Sequence, residues 1–226
     1  MKAVLSRLSL LIVAMTMLFA SCEKESGSET NQPEGGNNNP EVAGNTINGH
    51  EYVDLGLPSG LKWATCNIGA TSAEEFGDYY AWGETSTKSE YVGSNCSTNG
   101  VNLSDISGNA QHDAARANWG STWRLPTIDE LKELKNNCTL EWTWQGINHG
   151  YKITGPNGNS IFLPAGGYYN ESSVFSKNEI GQYWTSSPYE NNLQYAMRFS
   201  FGKDVSNIEI SEYYRYMGYS VRPVSN

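Results

Sequence analysis

The sequence predicts an α+β domain in which two short helices lie beside twisted antiparallel strands and long loops. One reason is an amphipathic segment with a helix start signal at Thr127. A second is a set of short segments, such as 195–201, in which apolar side chains alternate with small or polar ones. A third is the many Gly, Asn and Ser residues between these segments, which are typical of turns and irregular connections.

The chain begins with a pattern typical of secretion signals. Lys2 and Arg7 precede an apolar stretch, residues 8–20, which ends in small residues before Cys22. A basic start, a short apolar region and a small-residue cleavage site make a secretory signal peptide. The apolar stretch is too short to cross a hydrocarbon core of ~30 Å as a helix. We therefore predict a lipoprotein-type signal peptide over residues 1–21.

The run Leu18-Phe19-Ala20-Ser21-Cys22 resembles the lipobox of bacterial lipoproteins, with Phe19 where leucine is usual. The resemblance implies acylation of Cys22, palmitate included, and a membrane partner bound through the N-terminal lipid. A plain secreted protein cut near Cys22 is the alternative. Glu23-Lys24-Glu25 is similar to the acidic signal of Bacteroidetes lipoproteins exported to the outer leaflet. The alternative interpretation is that these residues are only the charged start of a linker. We expect an outer-membrane location facing the exterior.

Residues 22–45 are mostly Gly, Asn, Ser, Glu and Pro, with little to bury, which predicts a flexible tether. The remaining residues, 46–226, are enough for one domain with a hydrophobic core. The formal net charge of -9 disfavours a nucleic-acid partner, because phosphate binding requires a basic surface.

Two helices are predicted in the middle of this domain. The first runs from about Asn109 to Trp119 and is closed by Gly120. The second starts at the N-cap Thr127, with Glu130 completing a capping box. In the second helix the apolar residues fall on one face.

Strands are predicted on both sides of a turn and near the C-terminus. Residues 151–153 and 160–163 flank Gly155-Pro156-Asn157-Gly158, which predicts a hairpin. Further strands are expected over 183–187, 195–201 and 219–224.

Six segments together carry a resemblance to a known family, and they are Glu51–Asn67, Gly77–Glu84, Trp119–Thr127, Gly158–Ala165, Tyr183–Ser187 and Gly218–Val224. They resemble the Fibrobacter succinogenes major paralogous domain of Bacteroidetes surface proteins. More distantly, Trp123–Thr127 with Glu130, and the Gly-aromatic-x-Val-Arg ending, are similar to the formylglycine-generating family. That second resemblance implies a C-type-lectin-like fold.

No enzyme activity is expected. The formylglycine-generating enzymes need a pair of late cysteines that bind copper, and here no cysteine follows Cys138. The chain also lacks a Gly-x-Ser-x-Gly elbow, a His-Glu-x-x-His motif and a phosphate-binding Gly-rich loop. His50, His112 and His149 are scattered, so no metal site and no cofactor are predicted.

Three cysteines remain in the domain after Cys22. Outside the cytoplasm one disulfide is plausible, and Cys66 with Cys138 is favoured because Cys96 lies in a Ser-, Asn- and Gly-rich loop. Free buried thiols are the alternative.

Aromatic residues beside Gly- and Asn-rich segments are the candidate ligand-binding residues, namely Trp142, Trp144, Tyr168, Tyr169 and Tyr189. Rings of this kind stack on sugars, although they also build cores. The first functional hypothesis is a non-catalytic surface module that binds a glycan or a surface protein through loops 91–107 and 166–180. The alternative is a structural or fimbria-associated surface component without a soluble ligand.

Overall fold

The computed structural model describes residues 45–204, 206 and 208–226. These belong to one compact unit, Val42–Asn226. The predicted signal peptide over residues 1–21, the predicted acylation site Cys22 and all of the predicted tether over residues 22–45 except Asn45 lie outside the described residues. Within the described part, no helix combines the length and apolar character needed to cross a membrane.

The described residues form twelve strands, two α-helices and one 3-10 helix. In chain order these are β1 (Thr46–Ile47), β2 (His50–Asp54), β3 (Lys62–Ala64), η1 (Gly93–Asn95), α1 (Ala114–Trp119), α2 (Ile128–Asn137), β4 (Thr139–Gln145), β5 (Asn148–Thr154), β6 (Ser160–Pro164), β7 (Tyr168–Asn170), β8 (Ser173–Phe175), β9 (Ile180–Pro188), β10 (Tyr195–Gly202), β11 (Glu209–Tyr214) and β12 (Val224–Ser225).

Antiparallel sheets dominate this architecture. The strand orders are β1-β2-β3-β12, β11-β10-β9, β4-β5-β6 and β7-β8. The prediction of an α+β, C-type-lectin-like fold is therefore wrong, because most of the regular secondary structure of the described residues is strand, beside two helices of six and ten residues. The predicted number of strands is too low. In β4 the apolar Leu140, Trp142 and Trp144 alternate with polar residues, a strand pattern that our prediction does not include.

The two helices differ in how well local sequence predicts them. Helix α2 has the predicted capping box: Glu130 N donates to Thr127 Oγ1 at 3.3 Å, and Thr127 N donates to a Glu130 carboxylate oxygen at 2.8 Å. Helix α1 starts five residues later than predicted, at Ala114. Its N-cap is Asp113, whose carboxylate accepts hydrogen bonds from Ala115 N and Arg116 N. These bonds fix the start of the helix at Ala114.

Several predicted strands are confirmed. β5 pairs with β6 around the predicted turn, with Ile153 opposite Ile161. β9 and β10 cover the predicted strands 183–187 and 195–201 and pair with each other. The C-terminal segment is less regular than predicted, because Tyr219 and Ser220 form isolated bridges and β12 covers two residues.

Two large clusters of buried side chains, one around Trp63 and one around Trp123, fill the interior. Arg222 lies fully buried between chain segments. Its guanidinium donates to Asn67 Oδ1 at 2.8 Å and to the carbonyls of Ala64, Thr65 and Phe162, each at 2.9 Å. Burial lowers the pKa of Arg222, and the four acceptors offset much of the cost of burying the charge. This side chain fixes β3 and β6 against the C-terminal segment.

Candidate functional site

A large cleft opens beside the β9–β10 connection. It has a volume of about 660 Å³, and its walls come from residues 102–105, the first residue of α2, the end of β9 and the loop 189–193. Its polar side chains are Asn102, Ser104, Asp105, Ser187, Glu190 and Asn191. Its apolar side chains are Leu103, Ile128, Pro188, Tyr189, Leu193 and Met197. A volume between 300 and 1,000 Å³ with mixed lining is typical of ligand sites.

Asp105 is the most firmly held polar group of the cleft. One carboxylate oxygen accepts hydrogen bonds from the hydroxyls of Ser186 at 3.0 Å and Ser187 at 2.8 Å. The other accepts from the backbone N–H of Ser107 at 2.9 Å. The carboxylate is thus oriented at the cleft wall by a local turn and by one distant segment, Ser186 and Ser187. An oriented carboxylate is a strong acceptor for hydroxyl groups of a ligand.

Tyr189 supplies the aromatic surface of the cleft. Its ring lies edge-on to Tyr195, with 6.4 Å between the ring centroids, and its hydroxyl accepts from the Asn191 amide at 3.4 Å. Turn hydrogen bonds hold the loop: Tyr195 N donates to Asn192 O at 3.0 Å and Gln194 N to Asn192 Oδ1 at 2.9 Å. The ring is therefore presented by an ordered turn.

Charge restricts what this cleft can bind. Two of its lining residues, Asp105 and Glu190, carry carboxylates, and none of the described lining residues is Lys or Arg. A negative cleft disfavours phosphate, sulfate and carboxylate groups by like-charge repulsion. Hydroxyl-rich neutral molecules suit its acceptors, amides and single ring.

A family model described as the Lcl C-terminal domain matches residues 56–225, which include every residue of the cleft. The chain belongs to the Lcl C-terminal domain family. Membership indicates a surface-associated module. No curated protein and no solved structure matches the chain. The more specific relation to the Fibrobacter succinogenes major paralogous domain stays a prediction.

Of the five predicted binding residues in this Lcl C-terminal domain, only Tyr189 lines the large cleft. Trp142 and Trp144 both lie on β4, which contributes no residue to the cleft. Trp142 is half-buried and packs edge-on against Tyr151 and Phe201 of the core. Trp144 is 61% exposed and contacts the His149 ring. Trp142 therefore belongs to the core boundary and Trp144 to the surface.

Tyr168 and Tyr169 are neighbours in β7 but face different surroundings. Tyr169 packs against Tyr91 and Tyr79, with ring centroids 4.8 and 5.8 Å away. Tyr168 stacks on Phe175 at 5.6 Å and lines a second, smaller pocket beside Arg198. Each of the five predicted residues thus lies in different surroundings.

The Cys66–Cys138 disulfide that the sequence favours is not formed. Cys66, Cys96 and Cys138 are all free in the structure. Cys66 packs against the cluster around Trp123, whereas Cys138 ends α2 and packs against the cluster around Trp63. Burial raises the pKa of both Cys66 and Cys138, so both stay protonated thiols at neutral pH.

Sequence reasoning missed most of the cleft. The predicted loop 91–107 contributes Asn102 and Asp105, but neither residue stood out. The only local signal is the Asp-x-Ser spacing of Asp105 and Ser107, which is typical of a turn. Within the described ranges, no three His, Cys, Asp or Glu side chains come together as a metal site would require.

Proposed function

We propose that this chain is an outer-membrane lipoprotein whose folded module faces the exterior and binds a neutral glycan without catalysis. The observation that carries the proposal is one cleft whose lining includes both the Tyr189 ring and the oriented Asp105 carboxylate. A sugar offers a flat C–H face to an aromatic ring and hydroxyl donors to a carboxylate. Asn102 and Asn191 add amides that both donate and accept.

The shape of the cleft supports a small ligand over a protein surface. A cleft of about 660 Å³ is concave and holds a few sugar units, whereas a protein partner usually covers a flatter area of ~800 Å². The absence of Lys and Arg among its described lining residues supports a neutral glycan over a sulfated or phosphorylated one.

A glycan array with the fragment 42–226 tests the binding function. We expect retention of neutral glycans, and an affinity at least about tenfold weaker for Asp105→Asn and Tyr189→Ala, because each removes a main contact. Trp144→Ala is the matched control, since it removes an exposed aromatic ring outside the cleft. Thermal unfolding establishes that each variant is folded. No retention of any glycan, or a loss confined to Trp144→Ala, contradicts the proposal.

The anchor and the orientation have separate tests. We expect mass spectrometry of the mature N-terminal peptide to find Cys22 acylated, and Cys22→Ser to release the protein from membranes. Proteinase treatment of intact cells should degrade the module. An unmodified Cys22, or a module cleaved only after cell lysis, contradicts these parts of the proposal.

One observation favours a second candidate, a structural component of a surface assembly. Trp144 and Ile147, at the turn between β4 and β5, are 61% and 83% exposed. Contiguous exposed apolar patches mark protein contacts, and these two side chains lie within three residues of each other. If the module assembles through this turn, Trp144→Ser with Ile147→Ser should reduce cross-linked surface oligomers, while Asp105→Asn leaves them unchanged. Equal oligomer content in all variants contradicts this candidate.

A further inference from the structure

A second pocket, defined by Tyr168, Ile180, Gln182, Arg198, Tyr213, Met217 and Tyr219, lies on the sheet β11-β10-β9. We call it the Arg198 pocket. Met197 lines the large cleft and Arg198 lines this pocket. Successive residues of a strand point to opposite faces, so the pocket and the cleft lie on opposite sides of β10. The two sites can be tested independently.

A buried guanidinium forms the polar end of the Arg198 pocket. Arg198 is only 8% exposed. It donates one hydrogen bond to Gln182 Oε1 and one to Glu209 Oε1, the latter at 3.1 Å. Its Nε is buried and has no hydrogen-bond partner among the described residues. A guanidinium carries five N–H donors, and leaving a buried donor unpaired costs about 1–3 kcal/mol. The Nε–H of Arg198 therefore lacks an acceptor.

The existing partner of Arg198 is weakly held. The Glu209 side chain is 54% exposed, and Ser211 Oγ also donates to the oxygen that accepts from Arg198. A half-exposed ion pair of this kind contributes about 0.2–1 kcal/mol. Another carboxylate that arrives inside the pocket can therefore replace Glu209 at small cost.

The remaining walls fit an apolar or ring-shaped body. Arg198 Cζ lies over the Tyr213 ring, 4.9 Å from its centroid, and Tyr213 is 38% exposed, whereas Met217 and Tyr219 of the lining are buried. The pocket volume is about 190 Å³, below the usual range for whole ligands, so it accepts a single group such as one sugar ring or one amino-acid residue.

We propose that the Arg198 pocket binds the carboxylate group of a small acidic ligand, with its body between Tyr168 and Tyr213. The planar guanidinium of arginine can donate two parallel hydrogen bonds to one carboxylate. The carboxylate can belong to a sugar acid or to the C-terminal residue of a peptide. This site is distinct from the neutral cleft and does not depend on it.

Calorimetric titration of the fragment 42–226 at neutral pH tests the proposal with matched pairs. Glucuronate is compared with glucose, and N-acetylalanine with N-acetylalanine amide, because each pair differs in the carboxylate. If glucuronate binds saturably and N-acetylalanine does not, the ligand is a sugar acid. If N-acetylalanine binds and glucuronate does not, the ligand is a peptide C-terminus. If both bind, the pocket recognises the carboxylate group itself. No binding, or equal binding of glucose or the amide, overturns the proposal.

Two variants separate a ligand site from a structural arginine. Arg198→Gln should weaken binding of the acidic probe at least tenfold. Glu209→Gln should strengthen it about threefold, since it removes the competing carboxylate while the exposed position tolerates the change. A merely structural role for the Arg198–Glu209 pair predicts no gain in affinity for Glu209→Gln, and that result contradicts the proposal even if Arg198→Gln fails to fold. Tyr189→Ala, on the other side of β10, is the control and should leave this binding unchanged.

Discussion

Arg124 and Glu130 form a two-bond ion pair, with 2.6 Å between Nη2 and Oε1 and 2.9 Å between Nη1 and Oε2. The side chains are 14% and 18% exposed. Glu130 also accepts from Thr127 N at the start of α2, and Arg124 forms a bridge with Val224. The pair therefore joins the segment before α2, the helix start and the C-terminal strand. Bidentate, partly buried pairs are stronger than ordinary surface pairs.

Glu130→Gln should lower the free energy of unfolding by about 1.5–3 kcal/mol, because it weakens charge-assisted bonds from Arg124 and Thr127. Urea unfolding of the fragment 42–226 measures the effect. The control is Asp129→Asn, whose carboxylate is 88% exposed and pairs with Lys132, and it should cost less than about 1 kcal/mol. Equal effects of the two substitutions would contradict a special role for the Arg124 pair.

The same pair predicts a dependence on acid. Burial alone would raise the pKa of Glu130, but bonds from Arg124 and Thr127 outweigh it and hold the pKa below its usual 4.5. A folded-state pKa below the unfolded one stabilises the protein above the unfolded pKa, and this contribution is lost as pH falls through the folded one. The stability difference between wild type and Glu130→Gln should therefore shrink below about pH 4.5. A difference that stays constant in acid is the opposing outcome.

Arg222→Lys should lower the free energy of unfolding by at least about 3 kcal/mol, because one ammonium group cannot reach all four acceptors of the guanidinium. Denaturant unfolding measures it. Arg116→Lys is the control, since the Nε of Arg116 has no hydrogen-bond partner among the described residues. We expect that control to cost less than about 1 kcal/mol. Tolerance of Arg222→Lys would show that these bonds contribute little.

Cys138 should react slowly with alkylating reagents in the native protein. Burial, with a smaller effect of Glu133, raises its pKa to about 11 from 9.0, so its thiolate fraction near neutral pH falls roughly a hundredfold. Iodoacetamide labelling of Cys66→Ser/Cys96→Ser at about pH 8, followed by mass spectrometry, measures the rate. Unfolding in urea should restore ordinary reactivity. In the unsubstituted protein, a peptide containing Cys66 linked to Cys138 would contradict the free thiols.

Features that depend on a few neighbouring residues were predictable. The capping box of α2 needs only Thr127 and Glu130, and the β5–β6 hairpin needs two apolar segments and the turn 155–158, so the sequence alone determines both. The signal peptide and the acylation of Cys22 are also inferred from linear patterns, and they stay predictions. The strand β4 is also visible in the sequence as an alternation of apolar and polar residues, and without it the predicted strand content was too low.

Contacts between distant residues were decided only by the tertiary structure. Asp105 becomes an oriented acceptor because Ser186, 81 residues away, is brought against it. Trp142 becomes part of the core boundary because Phe201 packs on it, while Trp144, two residues on, stays exposed. Sequence patterns report which residue types are near one another along the chain. Which distant side chains share a cleft depends on how the sheets pack, because burial and hydrogen bonding are satisfied over the whole fold.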